Sequence, residues 1–339
     1  MWIARRALVL LIALGIAAGA ASAADVVFLV RVGTDSEGNP MFRQADSRDT
    51  YLSGLYGLAN GSSAVHEAAR YYDQVQRDKI AASLQGRASA SDIAYATQNV
   101  QTEPVYVEVN NNTSGSYNDW KGRFSIQAPN GQVSTISTPR VVLPLGSDVV
   151  RSGDSSLLVQ TLVHEMGHGG MCKCMLCQGL PNSPYLSKPH SGGSVSDPQL
   201  AFIEGWAEFV GAYFTGRHTI AQDPANALDT NWYAKNADGS MKSAQQLVSC
   251  EGWNATVMLQ ISEQAKDQNA MWKMTQVMSR TTPQSTWELL QNTAAMFPEL
   301  APSINQVVYQ YSGGQIQGVA PAPTYAAAGN TAYAAAPGG

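Results

Sequence analysis

Histidine is scarce in this chain, with five among 339 residues, and charge is thin: 21 lysines and arginines against 26 aspartates and glutamates, for a net charge of −5. No cluster of basic residues accumulates, which argues against a nucleic-acid surface. Past the N-terminus no segment approaches the roughly eighteen uninterrupted apolar residues that a spanning helix needs, so no stable membrane insertion is expected of the processed chain. No solenoid-type repeat is present. Cysteine is also rare, four in all, and unevenly placed: Cys172, Cys174 and Cys177 crowd together while Cys250 lies far downstream. With 44% hydrophobic residues and no low-complexity core, the composition is that of a soluble globular protein.

Residues 1–23 have the organisation of a secretory signal. Arg5 and Arg6 supply the charged start, Ala7 to Ala18 are almost wholly apolar, and Ala21-Ser22-Ala23 offers a small-residue cleavage site. The mature chain is then expected to begin near Ala24 and to be secreted or periplasmic. In such a compartment an even set of four cysteines could form two disulfides. A Cys172 to Cys174 bridge would be strained, so a partner outside that pair is expected, with Cys250 or a separate metal as alternatives.

The fold expected is α+β. Asp25 to Val32 reads as a buried strand, and a helical pattern runs from Ser63 to about Leu84. His66-Glu67 lies on it with no histidine at i+4, so it reads as an exposed polar pair. Residues 103–145 are β-rich: 105–109 and 123–127 alternate, and Asn130-Gly131 signals a hairpin to 133–136. Val141 to Leu145 follows, and Pro144 predicts an edge strand there because proline cannot donate to a ladder. An unpaired edge could bind an extended peptide by strand addition. Residues 155–312 are mainly helical, with helices expected over Ser243 to Gln264, Ala270 to Arg280, Ser285 to Met296 and Pro302 to Tyr311. A single domain over 24–312 is expected, followed by a disordered Ala/Pro/Gly tail over 313–339.

Two of the five histidines fall in Thr161-Leu-Val-His-Glu-Met-Gly-His-Gly-Gly170. Residues four apart share a helix face, so His164 and His168 can converge on one ion, and zinc accepts neutral imidazole readily. Glu165 beside them can act as general base toward a water at the metal. Asp154 is the expected N-cap and Gly169-Gly170 the expected end of this helix. Met171 to Ser196 is then a long loop rich in cysteine, proline, glycine and serine at the mouth of the site, the kind of segment that serves as a lid or binding loop. Asp197-Pro198 restarts helix as N-cap and N1. The helix that follows carries Glu204 and Glu208 one turn apart among apolar residues, where a carboxylate requires a partner. One could ligate the metal and the other could accept the free N–H of a ligating histidine. Glu251-Gly252-Trp253 echoes Glu204-Gly205-Trp206, which makes Glu251 the rival ligand.

HEMGH followed by a helix bearing EGWAE resembles the gluzincin branch of the zincin metallopeptidases, over about Leu157 to Tyr213. The resemblance implies a zincin-like fold with an edge strand beside the HExxH helix. It implies zinc held by His164, His168 and Glu204, with Glu165 as base and Glu208 behind a ligand. A metzincin would need glycine at 171 and histidine at 174, where this chain has Met171 and Cys174. A thiolate at Cys174 could ligate, though a disulfide is the stronger expectation there. Asp197 reads as a cap rather than as an aspartate ligand. The expected activity is hydrolysis of a peptide or protein substrate, with His218, Tyr213 and His190 as candidate donors to the oxyanion by residue type. The competing class is an exported binding protein in which zinc only holds helices together.

Overall fold

The computed structural model describes residues 26–98, 104–110, 115–120, 122–144, 154–175, 177, 179–184, 186 and 189–319. The expected signal segment lies outside the described residues, as does the tail from 320 onward.

The chain is a mixed α/β structure. Its strands are β1 (Val26–Thr34), β2 (Pro40–Gln44), β3 (Val105–Asn110), β4 (Tyr117–Asp119), β5 (Arg123–Gln127), β6 (Val133–Ser137) and β7 (Arg140–Pro144), and they form one sheet in the order β4-β7-β3-β1-β2-β5-β6. β1, β3 and β7 run parallel, while β4 lies antiparallel to β7. Side chains alternate across a strand, and the first half of β1 uses both faces. Val26 and Phe28 join the large helix-covered core, whereas Val27 and Leu29 join a second cluster with Phe42, Tyr106, Phe124 and Ile126. The sheet curls around that second cluster. Arg140 on β7 reaches across it, its guanidinium 4.9 Å from the centre of the Phe42 ring and 5.2 Å from that of Phe124. A buried cation needs counter-charge, and Arg140 finds Glu108 at 3.1 Å and Asp119 at 2.9 Å. The hairpin at Asn130-Gly131 joins β5 to β6 as expected, with Gly131 in the left-handed region at φ +84°.

The edge assignment at Val141 to Leu145 is corrected. Among the described residues, which stop at Pro144 here and leave Leu145 outside, β7 is flanked by β3 and β4, so the edge on this side of the sheet is β4. Pro144 is tolerated because it ends the strand: β4 pairs only with Arg140, Val141 and Val142, so the absent N–H costs no bond on that side.

Before the β-rich part come α1 (Ser53–Gly61), α2 (Ser63–Leu84) and α3 (Ala90–Gln98). After it come α4 (Ser155–Cys174) and α5 (Pro198–Thr215), then the two-stranded ribbon of β8 (Thr219–Ile220) and β9 (Asp223–Ala227). α6 (Ala244–Val248), α7 (Glu251–Gln264), α8 (Ala270–Thr281), α9 (Thr286–Met296) and α10 (Ala301–Tyr311) complete the fold. Three sequence expectations shift. The helix foreseen over Ser243 to Gln264 is two helices, broken where Cys250 makes a β-bridge with Val195. Gly169-Gly170 do not end α4, which runs one further turn to Cys174 because packing outweighs glycine's weak helix propensity: every residue from Gln160 to Cys172 is buried. Residues 313–319 are not loose tail, since Ile316 and Val319 are buried in the main core and Val319 N donates to Asn305 Oδ1 at 2.9 Å.

Candidate metal centre

From Gln160 to Cys172 α4 is buried all round, as a helix at the centre of a core must be. Asp154 caps its start, its carboxylate accepting from Ser156 N and Leu157 N at 2.9 and 3.1 Å. At its other end Lys79 Nζ, from α2, donates to the carbonyls of Lys173 and Cys174, a cation where the helix dipole favours one. α5 starts as expected, with Asp197 accepting from Leu200 N at 2.8 Å and Pro198 in the first turn, and ends at Gly216 in the left-handed conformation. Small residues let the helices touch. A Cβ on Gly167 would lie 3.0 Å from Ala207 Cα, and one on Gly205 would lie 2.7 Å from Asn254 Cβ. α4, α5 and α7 therefore approach backbone to backbone, and their polar side chains share one space.

In that space His164 and His168, one helical turn apart, meet Glu204. His164 Nε2 lies 3.6 Å and His168 Nε2 3.4 Å from Glu204 Oε2. Such distances are too long for good hydrogen bonds. They match the edge of a tetrahedron whose centre-to-ligand bonds are about 2.05 Å, for which the edge is about 3.3 Å. One ligand atom from each of the three residues lies within 4.8 Å of the others, and the group could hold a metal ion.

Electrostatics point the same way. Burial is the largest influence on His164 and opposes its charge, but Glu208 and Glu204 outweigh it and raise its pKa well above the ordinary value. Burial would raise Glu204, yet His168 and His164 hold it well below the usual carboxylate range. Two imidazoles surrounded by the carboxylates of Glu165, Glu204 and Glu208 form a negatively charged hole when neutral, and a divalent cation complements it. Glu208, one turn after Glu204, stands behind His164 with Oε1 3.5 Å from Nδ1. His168 Nδ1 has no hydrogen-bond partner among the described residues. Glu165 is buried beside the pair, and burial raises its pKa, partly offset by His164 and His168. Its Oε2 likewise has no hydrogen-bond partner among the described residues.

The remaining candidates separate cleanly. His190 is at the centre, with Nε2 4.0 Å from Glu204 Oε1 and Nδ1 3.1 Å from Glu251 Oε1. His218 pairs instead with Glu263 at 2.8 Å, and Tyr213 belongs to an aromatic group with Phe209 and Phe214. Glu251 is not in the ligand group. It is the first residue of α7, buried, with its pKa raised to about 7 by burial against the pull of His190. His66 Nε2 stays local, 2.7 Å from the Asn60 carbonyl.

The cysteine expectation is corrected in part. Cys172 bonds Cys177, while Cys174 and Cys250 are free and buried. Burial pushes the Cys174 thiol up to about 12, and its charged neighbours are Lys79 and Asp78 on α2, so it faces away from the metal-binding group. The last part of the loop after α4 is fixed in place. Ser196 N donates to the Ser249 carbonyl at 2.9 Å, Gly252 N to the Gly192 carbonyl at 2.8 Å, and Val195 bridges Cys250. This segment is a wall of the site rather than a free lid.

Two residues were missed from sequence. Asn118 on β4 donates its side-chain amide to the Glu165 carbonyl at 2.9 Å, and the Trp120 ring lies 6.3 Å from that of His168, with Cys172 Sγ against the Trp120 carbonyl. A three-residue strand leaves no periodic signal, so neither could be placed. Comparison of the chain with protein-family models, with curated proteins and with solved structures finds no match, and the functional reading therefore rests on the geometry of this centre.

Proposed function

We propose that the protein is an exported zinc peptidase with a zincin-like arrangement of gluzincin type, in which Glu165 is the general base. His164, His168 and Glu204 would hold the ion. Bound zinc would polarise the scissile carbonyl and acidify an adjacent water, the chemistry a catalytic zinc supplies. Glu165 accepts the proton of the attacking water and returns it to the leaving amine. Glu208 Oε1, 3.5 Å from Nδ1 of His164, would orient that ring by a hydrogen bond closing once the ion is bound, leaving Nε2 for the metal. β4 has β7 on one side and no strand on the other among the described residues, and Tyr117 on it is about half exposed, so an extended peptide could pair with that edge. Asn118 ties the same strand to the carbonyl of Glu165, which fixes the distance from edge to base.

The observation that carries this reading is Glu165 itself. A purely structural metal site has no use for a buried carboxylate that neither belongs to the ligand group nor has its Oε2 hydrogen-bonded. Glu165→Gln tests it by keeping size and polarity while removing the base. The variant should fold and keep the metal, and its cleavage of casein should fall on the order of 10²-fold or more. Equal cleavage by both forms would remove Glu165 from the mechanism. A metal-loaded wild type that cleaves neither casein nor a diverse peptide library would replace the peptidase with a metal-held binding protein.

A further inference from the structure

α4 carries a third residue on the side that presents its two imidazoles. His164, His168 and Cys172 follow one another at four-residue steps, so they line one face of the helix. The last of them is half of the Cys172–Cys177 disulfide, which the metal-binding group itself does not require. This face meets Trp120 at two levels, one turn apart. The indole lies 6.3 Å from the His168 ring, and the Trp120 carbonyl oxygen lies 3.7 Å from Cys172 Sγ. Trp120 follows directly on β4, which Asn118 ties to the Glu165 carbonyl.

The helix is intrinsically weakest where His168 sits. Gly167, Gly169 and Gly170 surround that histidine, and glycine favours helix less than any residue except proline. His164 has Glu208 behind its Nδ1, whereas His168 Nδ1 has no hydrogen-bond partner among the described residues, so packing against Trp120 is what orients the His168 ring. The disulfide closes the helix just beyond the glycines. Cys177 folds back over the last turn, its N donating to the Cys172 carbonyl at 2.6 Å, with φ at +52° in the left-handed region that non-glycine residues seldom occupy. The two cysteines are only five residues apart, so closing this loop removes less unfolded-state entropy than a long-range bridge would. The effect of the bond is therefore local, on the turn that carries His168.

The two redox forms make different contacts with Trp120. In the disulfide, Cys172 Sγ carries no hydrogen and faces the Trp120 carbonyl as one acceptor to another; as a thiol it donates S–H to that oxygen. Cys172 is fully buried and Cys177 is partly exposed, so an incoming thiol reaches Cys177 first. Its thiolate attacks Cys177 Sγ, the S–S electron pair leaves on Cys172, which takes up a proton, and a second thiol then releases Cys177. Two thiols become one disulfide while two electrons and two protons pass to the protein. We infer that the Cys172–Cys177 disulfide positions His168 through Trp120 and makes metal affinity answer to thiols: the bonded form holds the imidazole for the ion, and the dithiol form loosens the turn that carries it. The inference rests on the metal-binding group of the reading above and not on its peptidase chemistry.

Cobalt(II) is the probe, because its visible spectrum reports coordination geometry and a thiolate ligand adds a charge-transfer band. Metal-free protein is reduced with a phosphine and the phosphine is removed; thiols titrated in the unfolded chain should rise from the two of Cys174 and Cys250 to all four cysteines. Cobalt affinity, read by competition with a chromogenic chelator, should fall on the order of tenfold on reduction, the scale of a lost supporting contact, and return on reoxidation. The visible spectrum should change with no thiolate band. The Cys172→Ser, Cys177→Ser double variant should bind as the reduced protein does and ignore the phosphine, and Trp120→Ala should bind weakly in both states. Far-ultraviolet circular dichroism should stay the same throughout. Equal affinity in the two forms overturns the inference, as does a thiolate band on reduction, which would make the freed sulfur a ligand. Unfolding on reduction overturns it by making the bond a staple of the whole fold, and a full redox response in Trp120→Ala overturns the route through Trp120. The two readings fail separately. Tighter cobalt binding by the oxidised form of a protein that cleaves nothing supports this inference and defeats the peptidase, whereas no cobalt uptake in either form defeats the metal and both readings with it.

Discussion

The tripeptide Glu-Gly-Trp occurs twice, at 204–206 on α5 and at 251–253 on α7, and the two copies meet in the core where Gly205 lies against the Glu251 carbonyl. Both tryptophans are fully buried. Both glycines sit where no Cβ fits: against Asn254 and the Glu251 carbonyl for Gly205, and 2.3 to 2.6 Å from the Tyr233 ring for Gly252. The glutamates part ways. Glu204 lies well inside its helix and turns to two imidazoles on α4, which hold its pKa down against burial, whereas Glu251 opens its helix and meets one imidazole from the neighbouring wall, too little to offset burial. Identical local sequence thus yields a carboxylate facing two imidazoles in one place and an acid near neutrality in the other. The number and position of the cationic partners decide between them.

The largest expected difference between the copies is in metal retention. On the function proposed above, Glu204→Gln removes a ligand and should weaken metal binding by more than the roughly 10- to 100-fold typical of an outer partner, while Glu251→Gln should keep a full complement. Metal analysis after dialysis against a graded series of a zinc chelator reads both. A Glu251→Gln protein that loses metal while Glu204→Gln keeps it would exchange their roles.

The pH dependence of the metal-free protein should split the pair by sign. Glu251 has its pKa raised from 4.5 to about 7, so the fold binds its proton more tightly than the unfolded chain. Its contribution is full below the ordinary value and is lost as pH rises through about 7, amounting to at most about 3 kcal/mol. Glu204 is lowered, so its contribution is present above 4.5 and is lost as pH falls. Urea unfolding of chelator-treated protein from pH 4 to 8 should show the alkaline loss flattened in Glu251→Gln and the acid loss flattened in Glu204→Gln. Unchanged slopes in both would refute this account of the two environments.

The smallest contrast is between the tryptophans. Trp253 Nε1 donates to the Tyr311 carbonyl at 3.0 Å, whereas Trp206 Nε1 is buried with no hydrogen-bond partner among the described residues. Replacement by phenylalanine removes similar volume at both sites, so the Trp253 variant should be the less stable by about 1 kcal/mol, the net worth of one hydrogen bond. Equal losses would mean that Trp206 Nε1 is satisfied in solution.

Local chemistry, readable from residue type and spacing, determined the parts of this protein that need only near neighbours. The i, i+4 spacing set His164 and His168 on one face. Asp154, Asp197 and Ser285 start helices because their side chains accept orphan N–H groups a few residues on, and Asn130-Gly131 closes a hairpin through a left-handed glycine. Glu204 was legible as a ligand candidate because a carboxylate on an apolar helix demands a partner, but its rivalry with Glu251 was not decidable, since both lie in the same tripeptide. Only the tertiary structure resolved what depends on distant chain. Packing carried α4 past two glycines. The burial of β7 between β3 and β4 overruled the edge suggested by Pro144, which costs nothing at a strand end. The closure of Cys172 on Cys177 and the meeting of His190 with Glu251, 61 residues apart, follow from how the segments pack. Hydrogen-bond chemistry at short range is read from residue type and spacing, whereas burial and the identity of a charged neighbour exist only once the chain has folded.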